Sequence, residues 1–165
     1  MKIAVIYHSV TGNTKKMGEL IVKGMNCIEG VEAKCFPIEA VDAAFAKEAK
    51  CIVFGSPIYA AHITGQMMNY LLSEAGKLDL AGKLVGAYAT AQYVHGGAEL
   101  GIREILDHAM VMGALTFSGG GSYGKPFIHL GPVGIDHTMD INQFADNFEI
   151  YGSRMAQKAV ELFGK

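Results

Sequence analysis

The apolar and polar positions of the chain alternate between two periods. Lys2 to Tyr7 is a short apolar run rich in β-branched residues and predicts a buried parallel strand. From Thr14 the period becomes helical, with Met17, Leu20, Ile21, Gly24 and Ile28 on one stripe and Gly30 as the stop. Val31 to Phe36 predicts a second strand, partly polar as expected near a sheet edge and ended by Pro37. Val41 to Lys47 suggests a short helix, and Cys51 to Gly55 is a continuous apolar third strand. A helix opening at Thr64 places Met67, Met68, Leu71, Leu72 and Ala75 inward. Lys83 to Ala89 predicts a fourth strand, and the helix after it buries Ala98, Ile102, Ile105, Leu106 and Ala109. Ala114 to Ser118 predicts a fifth strand, followed by a glycine-rich connection from Gly119 to Asp136, long enough to imply a function or a partner contact. Asp140 with Gln143 has the spacing of a capping box, and Ile141, Phe144, Ala145, Phe148, Tyr151, Met155, Ala159 and Leu162 mark the last helix.

Five strands alternating with five helices predict an α/β fold, a doubly wound parallel sheet with helices on both faces. Right-handed crossovers favour the strand order 2-1-3-4-5. Such sheets bind ligands at the carboxyl ends of their strands, beside the switch point between strands one and three. The unusual loops of this chain follow strands one, three and four, all at that edge.

Composition narrows the picture. The 165 residues, 50% hydrophobic and 18% charged, are expected to form a single domain, residues 1–165. The 21 glycines fall largely outside the periodic segments and imply backbone-lined loops. A net charge of −2 with no basic cluster gives no sign of nucleic-acid binding. No apolar run reaches the length of a membrane span, and the three cysteines, Cys27, Cys35 and Cys51, read as buried thiols of a reducing compartment. The expected address is the cytoplasm. No His/Cys/Asp cluster has metal-ligand spacing.

The candidate chemistry begins where the first strand ends, at Ser9, Val10, Thr11, Gly12, Asn13 and Thr14. The first N–H groups of a helix lack internal partners and sit at the positive end of its dipole, so a hydroxyl-rich turn there is a ready phosphate site. There is no lysine in the turn and no G-x-x-x-x-G-K-[ST], so the loop suits one terminal phosphate rather than a triphosphate with magnesium. An ordinary capped helix start, with Asn13 or Thr14 as cap, fits the same residues. Tyr59 and Tyr93, each in a loop at this edge, are natural walls for a flat heteroaromatic ring. His62 and His95 are candidate proton donors at the same mouth.

Ser9-Val10-Thr11-Gly12-Asn13-Thr14 resembles [ST]-x-T-G-x-T, the FMN-phosphate loop of the flavodoxin-like proteins. Gly55-Ser56-Pro57-Ile58-Tyr59 looks like their G-[ST]-P-x-[YF] loop. Thr64-Gly65-Gln66-Met67, Gly96-Gly97-Ala98-Glu99 and Gly119-Gly120-Gly121-Ser122-Tyr123-Gly124 are similar to stretches of the NAD(P)H:quinone reductase branch, once named for tryptophan-repressor binding. The resemblance covers nearly the whole chain and implies a flavodoxin-like fold with FMN as cofactor. Carried over by position, Ser9 to Thr14 would hold the phosphate. Pro57, Ile58, Tyr59 and Ala60 would line one side of the isoalloxazine, and Ala91, Gln92, Tyr93, Val94, His95 and Gly96 the other. His108 matches a histidine that this branch uses at its flavin site, in some relatives from a neighbouring subunit, which implies a homo-oligomer; a half-exposed helix histidine is the plainer alternative.

The implied activity is electron transfer from NAD(P)H through FMN to a quinone or similar acceptor, with no catalytic side chain assigned. The alternative is a flavodoxin-type carrier served by a redox partner protein, and a third reading is a module that has lost its flavin. The chain departs from the reductase branch at Ile58-Tyr59-Ala60-Ala61, where that branch has R-F-G-N, and lacks its insertion after strand two. It departs from the acidic carriers in its charge. It also has Ala60 and Ala61 where many carriers have a glycine, and alanine is expected to resist positive φ there.

Overall fold

The computed structural model describes residues 1–164, which form one twisted sheet between two layers of helices. The strands are β1 (Lys2–Tyr7), β2 (Glu32–Pro37), β3 (Cys51–Tyr59), β4 (His62–Ile63), β5 (Leu84–Ala91), β6 (Leu115–Thr116) and β7 (Val133–Ile135). The helices are α1 (Asn13–Met25), α2 (Ala43–Glu48), α3 (Gly65–Ser73), α4 (Ala98–Val111) and α5 (Ala145–Phe163). The order is β2-β1-β3-β5-β6, with parallel pairing along that path. This is the expected doubly wound sheet, because apolar strands buried on both faces need a helical layer on each side.

Two differences concern the strands. The third strand does not stop at Gly55 but runs through Pro57 to Tyr59, and β4 folds back on it as an antiparallel hairpin. The fifth strand is broken in two. Leu115–Thr116 pairs with Leu84 and Val85, whereas Val133–Ile135 pairs with Ala89 to Ala91 farther along the same edge of β5. The glycine-rich connection therefore leaves the sheet and returns to it within one strand position. Arg154 of α5 holds that excursion. Its buried guanidinium donates to the carbonyls of Gly119, Gly120, Gly124, Lys125 and Pro126. A buried cation without a carboxylate is stable here because the carbonyl oxygens replace its hydration.

Helix ends and faces also shift. A 3-10 turn, Ile141–Phe144, precedes α5; Asp140 accepts from the Asn142 N–H, and the reciprocal half of the capping box is not made. Leu72 and Leu162, expected inward, are 69% and 42% exposed. Cys51 is buried and Cys35 half-buried, but Cys27 is exposed, so the reading of three buried thiols fails at one position. Burial pushes the Cys35 thiol up to about 12.

One face of the sheet packs Ile6, Phe54 and Val85 against Met67, Leu71, Ile102 and Ile105 of α3 and α4. The other packs Val5, Val53 and Tyr88 against Met17 and Ile21 of α1 and Phe148 and Met155 of α5. Tyr88 lies edge-on to Phe148, with ring centroids 5.9 Å apart. Burial raises the phenol pKa of Tyr88 and of Tyr151, so both stay neutral in the folded chain. The folded state thus binds protons at a pH where the unfolded chain releases them. Stability is fully present below pH about 10 and falls as the pH rises above it. Urea unfolding from pH 8 to 11 is expected to show this loss, with a smaller slope above pH about 10 in Tyr88→Phe.

Candidate functional site

The first loop is built by the backbone. After β1, the His8 N–H donates to the Gly55 carbonyl at 3.0 Å and its Nδ1 lies 2.9 Å from the Thr64 hydroxyl. The chain then leaves the sheet, and Gly12, at φ 93°, becomes the N-cap of α1 with no side-chain cap. Neither Asn13 nor Thr14 caps the helix; both lie inside it. Left-handed φ favours glycine, and the missing cap leaves the first-turn donors open. Lys15 N–H donates to the Ser9 hydroxyl at 3.2 Å and Lys16 N–H to the Gly12 carbonyl at 2.9 Å. Among the described residues, the backbone N–H groups from Val10 to Thr14 meet no protein acceptor. Open donors at the positive end of the α1 dipole make this turn a candidate anion cradle.

The cradle is fixed from below. The Tyr88 hydroxyl donates to the Thr14 carbonyl at 2.9 Å, and the Thr14 and Thr90 hydroxyls are 2.8 Å apart. Tyr88 reaches Thr14 only because Gly55 and Gly18 lack side chains; a Cβ on them would lie 2.0 Å and 2.5 Å from the phenol.

Beside the cradle, Thr11, Pro57, Ile58, Tyr59, Ala91 and Gln92 line one shallow cleft together with Thr90 and Asp136. Sequence reasoning missed the last two. Asp136 ends the long glycine-rich segment, and only the pairing of β7 with β5 brings it here; its N–H donates to the Ala91 carbonyl at 3.0 Å. Its Oδ2 accepts from the Asn13 side-chain amide, while its Oδ1 is buried with no partner. An acceptor left unsatisfied at the cleft calls for a donor from a bound molecule.

The hairpin beyond Tyr59 turns at Ala60 and Ala61, whose φ values are 51° and 65°. Both therefore adopt the left-handed conformation that alanine was expected to resist, at roughly 1–2 kcal/mol each. Tyr93, Val94 and His95 are exposed on a tight turn closed by the Gly96 N–H to the Tyr93 carbonyl, and Tyr93 packs edge-on against His137 at 5.2 Å. His62 faces α4, its Nδ1 2.5 Å from Glu104. His108 sits in the last turn of α4, about 16 Å along the helix from its cleft-side end. A single chain does not bring it to the cleft, and its buried Nε2 has no partner. Among the described residues, no group of His, Cys, Asp or Glu is placed to hold a metal ion, and no helix is long and apolar enough to cross a membrane. A roomier hollow of about 340 Å³ lies at the β6 edge, among Arg103, Leu106, Phe117 and His129.

The chain matches the NADPH-dependent FMN reductase family over residues 39–123. Over 164 residues it is 38% identical to a protein named flavodoxin from Clostridium saccharobutylicum, covering 99% of this chain and 100% of that one. The chain belongs to the flavodoxin-like FMN proteins. An NAD(P)H dehydrogenase (quinone) from Trichlorobacter lovleyi is 28% identical over 166 residues, covering 74% of this chain and 81% of its own. In fold, this flavodoxin-like chain superposes on the flavodoxin, WrbA-like protein from Agrobacterium tumefaciens with a TM-score of 0.78, at 20% identity and 98% coverage of each chain.

The residues present fit FMN, the cofactor of the family. The open N–H groups suit its phosphate, and the orphaned Asp136 Oδ1 suits a ribityl hydroxyl, which donates. Tyr59 offers an aromatic wall for the ring. Thr11→Val is expected to weaken FMN binding about tenfold, the worth of one hydrogen bond, and leave riboflavin binding within about twofold. Asp136→Ala is expected to weaken both ligands about tenfold or more. Titration by quenching of flavin fluorescence measures each.

Proposed function

We propose that this chain carries electrons on FMN to and from redox partner proteins. The observation that carries the reading is exposure at and beside the cleft: Tyr59, which lines it, is 47% exposed, and Tyr93 and Val94, on the turn after β5, are 50% and 57% exposed. A ring held between these walls keeps an edge at the protein surface, within reach of another protein's cofactor. A net charge of −2 steers partners weakly, so this apolar rim would supply much of the docking contact. The full-length identity to a protein named flavodoxin supports the same reading, as does the left-handed turn at Ala60 and Ala61.

Bound FMN supplies reversible one- and two-electron chemistry. The protein's part is to hold and shape it. The N–H groups from Val10 to Thr14 hold the phosphate and Asp136 accepts from the ribityl chain. Pro57, Ile58, Tyr59 and Ala60 cover one face of the ring, with Ala91, Gln92, Tyr93, Val94, His95 and Gly96 on the other side. The compartment that fits is the cytoplasm.

A second reading, NAD(P)H-dependent reduction of a quinone or similar acceptor, is supported by the family match over 39–123, which spans both walls. In that case a homo-oligomer would bring His108 of one copy to the flavin of another.

Anaerobic spectra of the FMN-loaded protein separate the two. For a carrier, NADH and NADPH leave the flavin oxidised, while the dithionite-reduced protein, freed of excess reductant, passes its electrons to cytochrome c. Prompt bleaching by either nucleotide establishes the second reading, and failure to retain any flavin overturns both.

A further inference from the structure

The wall carrying Tyr59 is held by its own β3–β4 pairing and by contacts from outside it. Its hairpin turns on two residues, Ala60 and Ala61, at φ 51° and 65°, where asparagine and glycine are the usual occupants. Ala60 is exposed and packs nothing that would force the turn. Beyond the pairing of β3 with β4, a restraint comes from α4. Glu104 lies 2.5 Å from His62 Nδ1 through one carboxylate oxygen and accepts the Ile63 N–H at 3.2 Å through the other. These are the two residues after the turn, and the carboxylate meets both the backbone and a side chain of β4.

The helix is also shaped to receive the hairpin. A Cβ on Gly97 would lie 2.5 Å from the Ala61 Cβ, and one on Gly101 would lie 2.3 Å from the Ile58 side chain. Backbone contact at the helix start and a two-pronged carboxylate about two turns farther on therefore clasp the hairpin from one side.

We infer that Glu104 is a positioning residue for the cofactor wall, clamping His62 and Ile63 so that the Ala60–Ala61 turn stays left-handed and Tyr59 stays over the cleft. The inference rests on the reading of this cleft as the FMN site. Glu104 itself lines no part of the cleft, so its effect on a bound ring is exerted through the hairpin.

The test is a rescue experiment with FMN as the probe. Dissociation constants from fluorescence quenching and the midpoint potential of the bound flavin are measured for the wild type, Glu104→Ala, Ala61→Gly, and both substitutions together. Glu104→Ala is expected to weaken FMN binding about tenfold and to shift the potential, with the melting temperature of the flavin-free protein little changed. Ala61→Gly, at a turn residue that lines no part of the cleft, removes the resistance to positive φ there and is expected to change the wild type by less than threefold and to restore part of the affinity lost in Glu104→Ala. Glu104→Gln is expected to bind nearly as the wild type, because its amide can accept from Ile63 and donate to His62 in the other tautomer.

Unchanged affinity in Glu104→Ala overturns the inference, and so does a loss that Ala61→Gly does not reduce. If Glu104→Ala fails to fold, His62→Ala replaces it: a loss of about threefold that Ala61→Gly reduces supports the clamp, and a loss it does not reduce, or no loss, overturns it. A wild type that fails to bind FMN instead refutes the reading of the cleft.

Discussion

The hydroxyl of Tyr88 donating to the carbonyl of Thr14 fixes the rest of the cofactor site. It ties the first turn of α1 to the middle of β5, the strand with which both β3 and β7 pair. The anion cradle, the hairpin wall and Asp136 are thus all referred to one central strand. The bond is reached through a gap left by Gly18 and Gly55, on either side of the phenol. A larger residue at either would push the ring off Phe148 or lift the cradle from the sheet. Because the phenol is fully buried, no water replaces that bond when it is lost.

The broken fifth strand is the second constraint. Leu115–Thr116 and Val133–Ile135 occupy one position beside β5, and the segment between them is held by a single guanidinium binding a succession of carbonyls. The excursion has a consequence for the site. By re-entering the sheet beside Ala89 to Ala91, the chain delivers Asp136 to the cleft, where an uninterrupted strand would have ended elsewhere. Arg154, remote from the cleft, therefore has a part in placing a carboxylate within it.

Much of this was legible in the sequence, and the reasons differ by element. The buried strands and amphipathic helices declare themselves because burial imposes a period on them, and the loop from Ser9 to Thr14 declares itself because glycine and hydroxyls are needed where a helix start binds an anion. The break in the fifth strand was not legible. Val133-Gly134-Ile135 is too short to show a period, and only its pairing with β5 makes it a strand. Asp136 and Thr90 were missed for the same reason: each owes its place to a partner distant in sequence. Ala60 and Ala61 misled in the opposite direction. Local preference argued against positive φ, and tertiary contacts from Glu104, Gly97 and Gly101 overrode it.

The two halves of the cleft thus differ in how they are made. The half read as the phosphate site is made of backbone N–H groups, which every residue except proline supplies, so it needs only a left-handed glycine and a helix start. The half read as the ring site is made of side chains on a hairpin that α4 contacts from outside. Substitutions on α4 can therefore retune the ring wall without touching the phosphate cradle. A fold with that division can keep one cofactor while changing how the ring is covered and what approaches it.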